Sequence, residues 1–195
     1  MKNRRVVKII LGIVLVLVAA VIAGVYLSPF NAGEGGVIMG NLSITSSAFN
    51  NGGAMPAIHS QRGGNMSPPL TIEGIDPKAK TIAVIVDDPD IPIPFLSFTH
   101  WVVYNIPADT AQIPQNVASG EVISALSGAS QGRNGFGRTA YVGPNPPFGT
   151  HVYRFKVYAL DTVLDLKPGA TRRQLQKAME GHILQSGLLE GKYGV

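Results

Sequence analysis

An antiparallel β-sandwich with a C-terminal helix, preceded by one N-terminal transmembrane helix, is the mostly β fold class predicted by three observations. These are an uncharged apolar run near the N-terminus, several short β-branched runs separated by Gly- and Pro-rich turns, and one segment of helical period near the C-terminus. The 195 residues are 45% hydrophobic and 14% charged, enough apolar material for one compact domain with a core and too little for two. Glycine (23) and proline (14) are frequent without any low-complexity tract, which favours a turn-rich β protein over a helical bundle or a disordered chain. No internal repeat and no alternation of strands with long helices occurs, so a doubly wound sheet is disfavoured. The absence of cysteine excludes disulfides, zinc–thiolate sites, thiol nucleophiles and a lipidated cysteine.

Residues 9–27 carry no charge and, at 1.5 Å rise per residue, nearly cross a hydrocarbon layer of about 30 Å. The run is longer than an ordinary signal-peptide core and lacks a clean small-x-small cleavage site, which favours an uncleaved anchor; cleavage would leave a secreted or periplasmic domain instead. Residues 1–8 contain Lys2, Arg4, Arg5 and Lys8, so the positive-inside rule predicts a cytoplasmic N-terminus and an extracytoplasmic domain on a single-pass membrane protein. Those four side chains account for the whole formal charge of +4, and the remaining 12 basic and 12 acidic residues balance. A neutral domain without a basic stripe gives no footprint for nucleic acid.

Residues 28–40 read as a Gly-rich linker, and the domain is expected over 41–195. Leu42, Ile44 and Phe49 suggest a first strand, followed by a Gly/Pro-rich loop over 50–69. Residues 81–86 (TIAVIV) form a continuous β-branched run, and 101–106 (WVVYNI) another; both are short enough to be buried strands. Residues 152–160 alternate, setting Tyr153, Phe155, Val157 and Ala159 against Val152, Arg154, Lys156 and Tyr158. Thr171 with Gln174 makes a capping-box pattern, Leu175, Ala178, Met179 and Ile183 follow at helical spacing, and Gly187 is the expected C-cap.

Polar residues in apolar company mark the chemistry. Asp87, Asp88 and Asp90 follow the 81–86 run, with Pro89, Pro92 and Pro94 stiffening the loop; the bland alternative makes Asp87 and Asp88 turn or solvated residues. His100 opens the next strand. His151 and Tyr153, two apart, project to one face of the alternating strand. Just upstream, residues 141–149 (YVGPNPPFG) form a stiff Pro/Gly segment whose few free N–H groups suit a ligand anion. His59 and His182 read as structural, the latter beside the helix's apolar stripe, and Arg138 is a weaker donor.

Asp88-Pro89-Asp90, His100-Trp101, Gly143-Pro144-Asn145-Pro146-Pro147 and His151-Val152-Tyr153 together resemble the phosphatidylethanolamine-binding proteins (PEBP), also called Raf kinase inhibitor-like proteins, in their YbhB/YbcL-like bacterial and archaeal branch. The resemblance runs from about Leu42 to the C-terminus and includes Asn65-Met66-Ser67-Pro68 and the closing stretch through Tyr193. It implies a PEBP-like sandwich of a large sheet on a smaller one. It further implies a pocket for phosphate, acetate or a phospholipid head group, lined by Asp90, His100, His151 and Tyr153 and rimmed by Gly143, Asn145 and Pro147. The chain departs from the family pattern at Val152, Ile72 and Asn145, where arginine, tryptophan and glycine are usual.

The expected function is therefore non-catalytic binding of a small anion, phosphate or phosphoethanolamine-like, with no cofactor. Two histidines and a phenol supply donors, Asp90 orients a histidine or meets a ligand ammonium, and binding is expected to tighten below about pH 6.5 as histidine protonates. Three other readings stay open. The pocket rim and Pro-rich loops could contact a protein partner, as kinase- or protease-inhibitor-like members of the family do. A metal triad of two histidines and a carboxylate lacks a demanding spacing, and a relay of Ser97 or Ser127 with His100 and Asp90 lacks the Gly-x-Ser-x-Gly elbow.

Overall fold

The computed structural model describes residues 42–93 and 96–194. In chain order the elements are β1 (Ser43–Thr45), β2 (Gly53–Ala54), β3 (Leu70–Glu73), β4 (Thr81–Asp88), β5 (Phe98–Pro107), β6 (Gln112–Ile113), β7 (Val122–Ile123), β8 (Ala129–Gln131), β9 (Thr150–Leu160), α1 (Arg172–Met179) and β10 (Ile183–Gly194). Seven strands form a large sheet in the order β2-β10-β9-β4-β5-β8-β7, and β1-β3-β6 form a small one. Among the ladders between these described strands, β2–β10 is the parallel one and the others are antiparallel.

Two apolar layers explain the patterns read along the chain. Ile44, Leu70, Ile72 and Ile113 of the small sheet pack with Ile82, Val84, Val86, Trp101, Val103, Phe155 and Val157 of the large one. On the outer face of the large sheet, Ala83, Ile85, Val102, Tyr104 and Leu160 meet Leu164, Ala170 and the α1 residues Leu175 and Met179. Central strand β4 is covered on both faces and all eight of its residues are buried, which is why it is apolar without alternation. In β9 the inward residues are buried and their neighbours only half-buried, so the period of two survives. Phe155, wholly buried, contributes about 3 kcal/mol of transfer free energy by itself.

The predicted fold class needs correction at its front end. No helix among the described residues is long and apolar enough to cross a membrane. The one α-helix there has eight residues, about 12 Å of rise against roughly 30 Å of hydrocarbon. The architecture is thus a mostly β sandwich with a C-terminal helix, and the membrane segment expected at 9–27 lies outside the described residues, as do the basic segment 1–8 and the linker 28–40.

The helix begins as expected and ends early. Thr171 and Gln174 form both halves of the capping box. The helix nevertheless stops at Met179 with Glu180 as its C-cap, and Gly181 follows at a φ of +78°. Ile183 and Gly187, expected in and after the helix, belong to β10, which pairs with β9 along nearly its whole length. Gly187 is needed there for space, since a Cβ would stand 2.5 Å from the Leu42 carbonyl oxygen. His182 is exposed and pairs with Asp161 at 2.9 Å, so it is not part of an apolar stripe. Phe49 lies beyond β1, in a loop, yet is buried in the inter-sheet core.

Candidate functional site

Strand pairing gathers distant segments at one end of the large sheet. Asp88 at the close of β4 faces Phe98 at the start of β5, and Tyr193 at the close of β10 faces His151 at the start of β9. Val86 pairs with Phe155 and Asp87 with Arg154, so Asp88 falls beside Tyr153. Strand parity then separates the two adjacent aspartates. Asp88 shares the inter-sheet face with Val84 and Val86, and Asp87 shares the outer face with Ala83 and Ile85. Both lie within the strand and are buried, which corrects the expectation that they follow it as loop carboxylates.

On the inner face Asp88 organises a buried polar cluster. Its Oδ2 accepts from Nδ1 of His151 at 2.7 Å, and its Oδ1 accepts from the Asp90 backbone N–H at 2.8 Å. Tyr153 lies near the same carboxylate, and burial, followed by the charge of Asp88, pushes the phenol pKa up. The His100 ring stands edge-on to Tyr153 at 5.0 Å between centroids, and His151 stacks on Tyr153 at 6.4 Å. Asp90 joins from the loop, its Oδ2 accepting from the Val152 N–H at 2.8 Å. The structure thus brings Asp90, His100, His151 and Tyr153 together.

His100 differs chemically from His151. Its Nδ1 lies 2.6 Å from the Val142 carbonyl oxygen, which can only accept, so Nδ1 carries the proton and Nε2 of the neutral ring is an acceptor. Burial lowers its pKa, and the Val142 hydrogen bond and the charge of Asp88 offset this only partly. The expectation that this ring charges below about pH 6.5 is therefore corrected for His100. The folded ring resists a proton that the unfolded chain accepts, so the pair of states makes stability fall as pH drops through about 6.5. Melting curves across pH should show the difference between wild type and His100→Phe shrinking on acidification; a constant difference would contradict the assigned burial effect.

Val142 also fixes the rim, because its N–H donates back to the His100 carbonyl at 3.0 Å. Gly143 donates to Asn65 Oδ1 at 2.7 Å and accepts from Gln61 Nε2 at 3.1 Å. Its missing Cβ matters, since one would lie 2.1 Å from the His59 carbonyl oxygen. Asn145 is exposed and accepts from Arg62 Nε at 2.9 Å, while Pro147 is exposed; no hydrogen bond described ties either to His100, His151 or Tyr153. Arg138 is exposed as well. His59 is buried, with its Nδ1 donating to the Met66 carbonyl at 2.9 Å, a structural role.

The outer face holds a second polar group. Wholly buried Asp87 takes two hydrogen bonds from Arg154, at 2.9 and 3.0 Å, and ion pairs from Arg172 at 3.0 Å and Lys156 at 3.5 Å. Ser97 donates to Asp87 and accepts from Arg172, so the relay of Ser97 with His100 and Asp90 is not assembled. Ser127 lies in the turn closing a 3-10 helix, in the left-handed region. Among the described residues no three His, Asp or Glu side chains are placed to share a metal ion. Sequence reasoning passed over Asp88 as the partner of His151, although the series Val84, Val86, Asp88 marked it as inward-facing.

The model of the phosphatidylethanolamine-binding protein family matches residues 45–194. The chain belongs to that family. Among curated relatives, a UPF0098 protein of Pyrococcus horikoshii is 50% identical over 151 residues, covering 76% of this chain and 74% of its own. A UPF0098 protein of Methanothermobacter thermautotrophicus is 43% identical, covering 78% and 98% respectively. Among solved structures, a phosphatidylethanolamine-binding protein homologue of Chlamydia trachomatis superposes with a TM-score of 0.72 at 36% identity over 79% of this chain and 97% of that one. Escherichia coli YbcL, described as a member of the mammalian PEBP family, gives 0.73 at 30% identity over 80% and 99%. In this family member, Arg154 faces away from the His/Tyr cluster and serves Asp87, and Ile72 fills the inter-sheet core.

Proposed function

We propose that this PEBP-family domain binds a small phosphoryl-bearing ligand, such as phosphate or phosphoethanolamine, at Asp88, Asp90, His100, His151 and Tyr153 and performs no chemistry on it. The observation that carries the reading is the convergence of two imidazoles and a phenol, from β5 and β9, around the buried Asp88 carboxylate. Such a polar cluster at the end of an otherwise apolar inter-sheet core is costly to bury and is matched to a polar guest. Calorimetric titration of phosphate and phosphoethanolamine into the full chain tests this. His100→Leu and Tyr153→Phe should each weaken binding about tenfold, the usual worth of one lost polar contact. Unchanged affinity in both variants would overturn the assignment.

A second reading, a protein contact surface, is favoured by one observation. Phe136, 59% exposed, packs on Phe98, which packs on His100, each pair 4.9 Å between centroids, and Phe148 in the Pro-rich loop is 64% exposed. The same titration separates the two, because a pure protein contact predicts no phosphate affinity.

A further inference from the structure

We infer that the site takes its phosphoryl ligand as the protonated monoanion, with the ligand's own P–O–H donating to Nε2 of His100; this rests on the phosphoryl reading above. The decisive atom is that Nε2. The only proton of the neutral His100 ring is committed at Nδ1 to the Val142 carbonyl, so Nε2 offers a lone pair. A fully ionised phosphoryl oxygen placed against it would set lone pair against lone pair. One proton on the ligand turns that repulsion into a hydrogen bond.

The other groups around the cluster favour the same charge state. From β4 and its following loop come two carboxylates, Asp88 and Asp90. From β9 come His151, whose Nδ1 is held by Asp88 and whose Nε2 donates only when the ring carries a second proton, and Tyr153, whose phenol lies near the Asp88 charge. From β10 comes the phenol of Tyr193, opposite His151. Buried Tyr141 spends its hydroxyl on the His59 carbonyl at 3.0 Å. In the rim, Pro144, Pro146 and Pro147 have no N–H and Gly143 gives its own to Asn65, which leaves the Asn145 N–H.

Even with His151 charged, two carboxylates outweigh one imidazolium. The cations Arg154, Lys156 and Arg172 lie on the opposite face of the sheet around Asp87. A dianion entering this site meets a net negative surround with few donors, and a monoanion bearing a proton meets a matched set of acceptors.

Methyl phosphate and sulfate test this on the full chain by calorimetry between pH 5 and pH 8. The two are similar in size and tetrahedral, but sulfate has no proton to give in that range, so it also reports any effect of the protein's own titration. With the second ionisation of an alkyl phosphate near pH 6, methyl phosphate should weaken by about fiftyfold or more from pH 5 to pH 8. Sulfate should bind at least tenfold more weakly than methyl phosphate at pH 5. Equal binding of the two at pH 5, or methyl phosphate affinity that does not fall with pH, overturns the proton assignment and leaves the phosphoryl reading standing. Failure of both anions and of phosphate to bind at any pH overturns both.

Discussion

Asp87→Ala should destabilise the fold by about 3 kcal/mol, seen in chemical denaturation as a lower midpoint and in melting as a drop of roughly 10 °C. The side chain is wholly buried and answers three cations from two elements, Arg154 and Lys156 on β9 and Arg172 at the first turn of α1. Removing it leaves positive charges crowded on one another in a largely dry place, the situation in which loss of one partner costs most. Those cations keep side-chain exposures between 14% and 26%, so they can turn partly to water, which sets the expectation at the lower end of the range for buried pairs.

The effect should also depend on pH. Burial alone would raise the Asp87 pKa, but the Arg154 hydrogen bonds and the charges of Arg172 and Lys156 overcome it, and the folded value lies below the ordinary one. A depressed folded pKa contributes stability that is present above the unfolded value of about 4 and is lost as pH falls through the folded value. Wild type and Asp87→Ala should therefore differ fully at neutral pH and converge in acid below about pH 4. A difference that persists undiminished to pH 2 would show that the loss is one of packing and not of charge.

Gly143→Ala is expected to have the second largest effect and to reach the site. The added Cβ would meet the His59 carbonyl oxygen at 2.1 Å and Ser60 backbone atoms at 2.9 Å, none of which is the end of a flexible side chain. The rim must move, and its neighbour Val142 moves with it, away from the 2.6 Å contact that fixes the His100 tautomer. A cost of about 2 kcal/mol is expected from the overpacking. Nitrogen NMR of His100 should report a mixture of tautomers where wild type has one, and phosphate affinity should fall. A single unchanged tautomer with unchanged affinity would show that Val142 does not depend on the position of Gly143.

The residues differ in how far they reveal their surroundings. The alternation of β9 is legible because a strand with one dry and one half-wet face must repeat every two residues, and β4 is legible because a strand covered on both faces needs no polar positions. The start of α1 is a local event, a side chain bonding a backbone three residues away, and the pair Thr171 and Gln174 shows it. Its end is not local in the same sense. Ile183 continues the helical spacing from Met179, yet the backbone turns at Gly181 and the following residues are claimed by pairing with β9.

The aspartates mark the same boundary. Composition and spacing carried by themselves the β architecture, and short motifs in order carried the family resemblance, which in turn implied Asp90, His100, His151 and Tyr153 as pocket residues, because strand periodicity and short motifs are written in near neighbours. Only the tertiary structure decided that Asp87 and Asp88 serve opposite faces, that Asp88 holds His151, and that Arg154 belongs to Asp87. Those facts depend on the register between β4 and β9, more than sixty residues apart along the chain, and register is set by how whole strands pack.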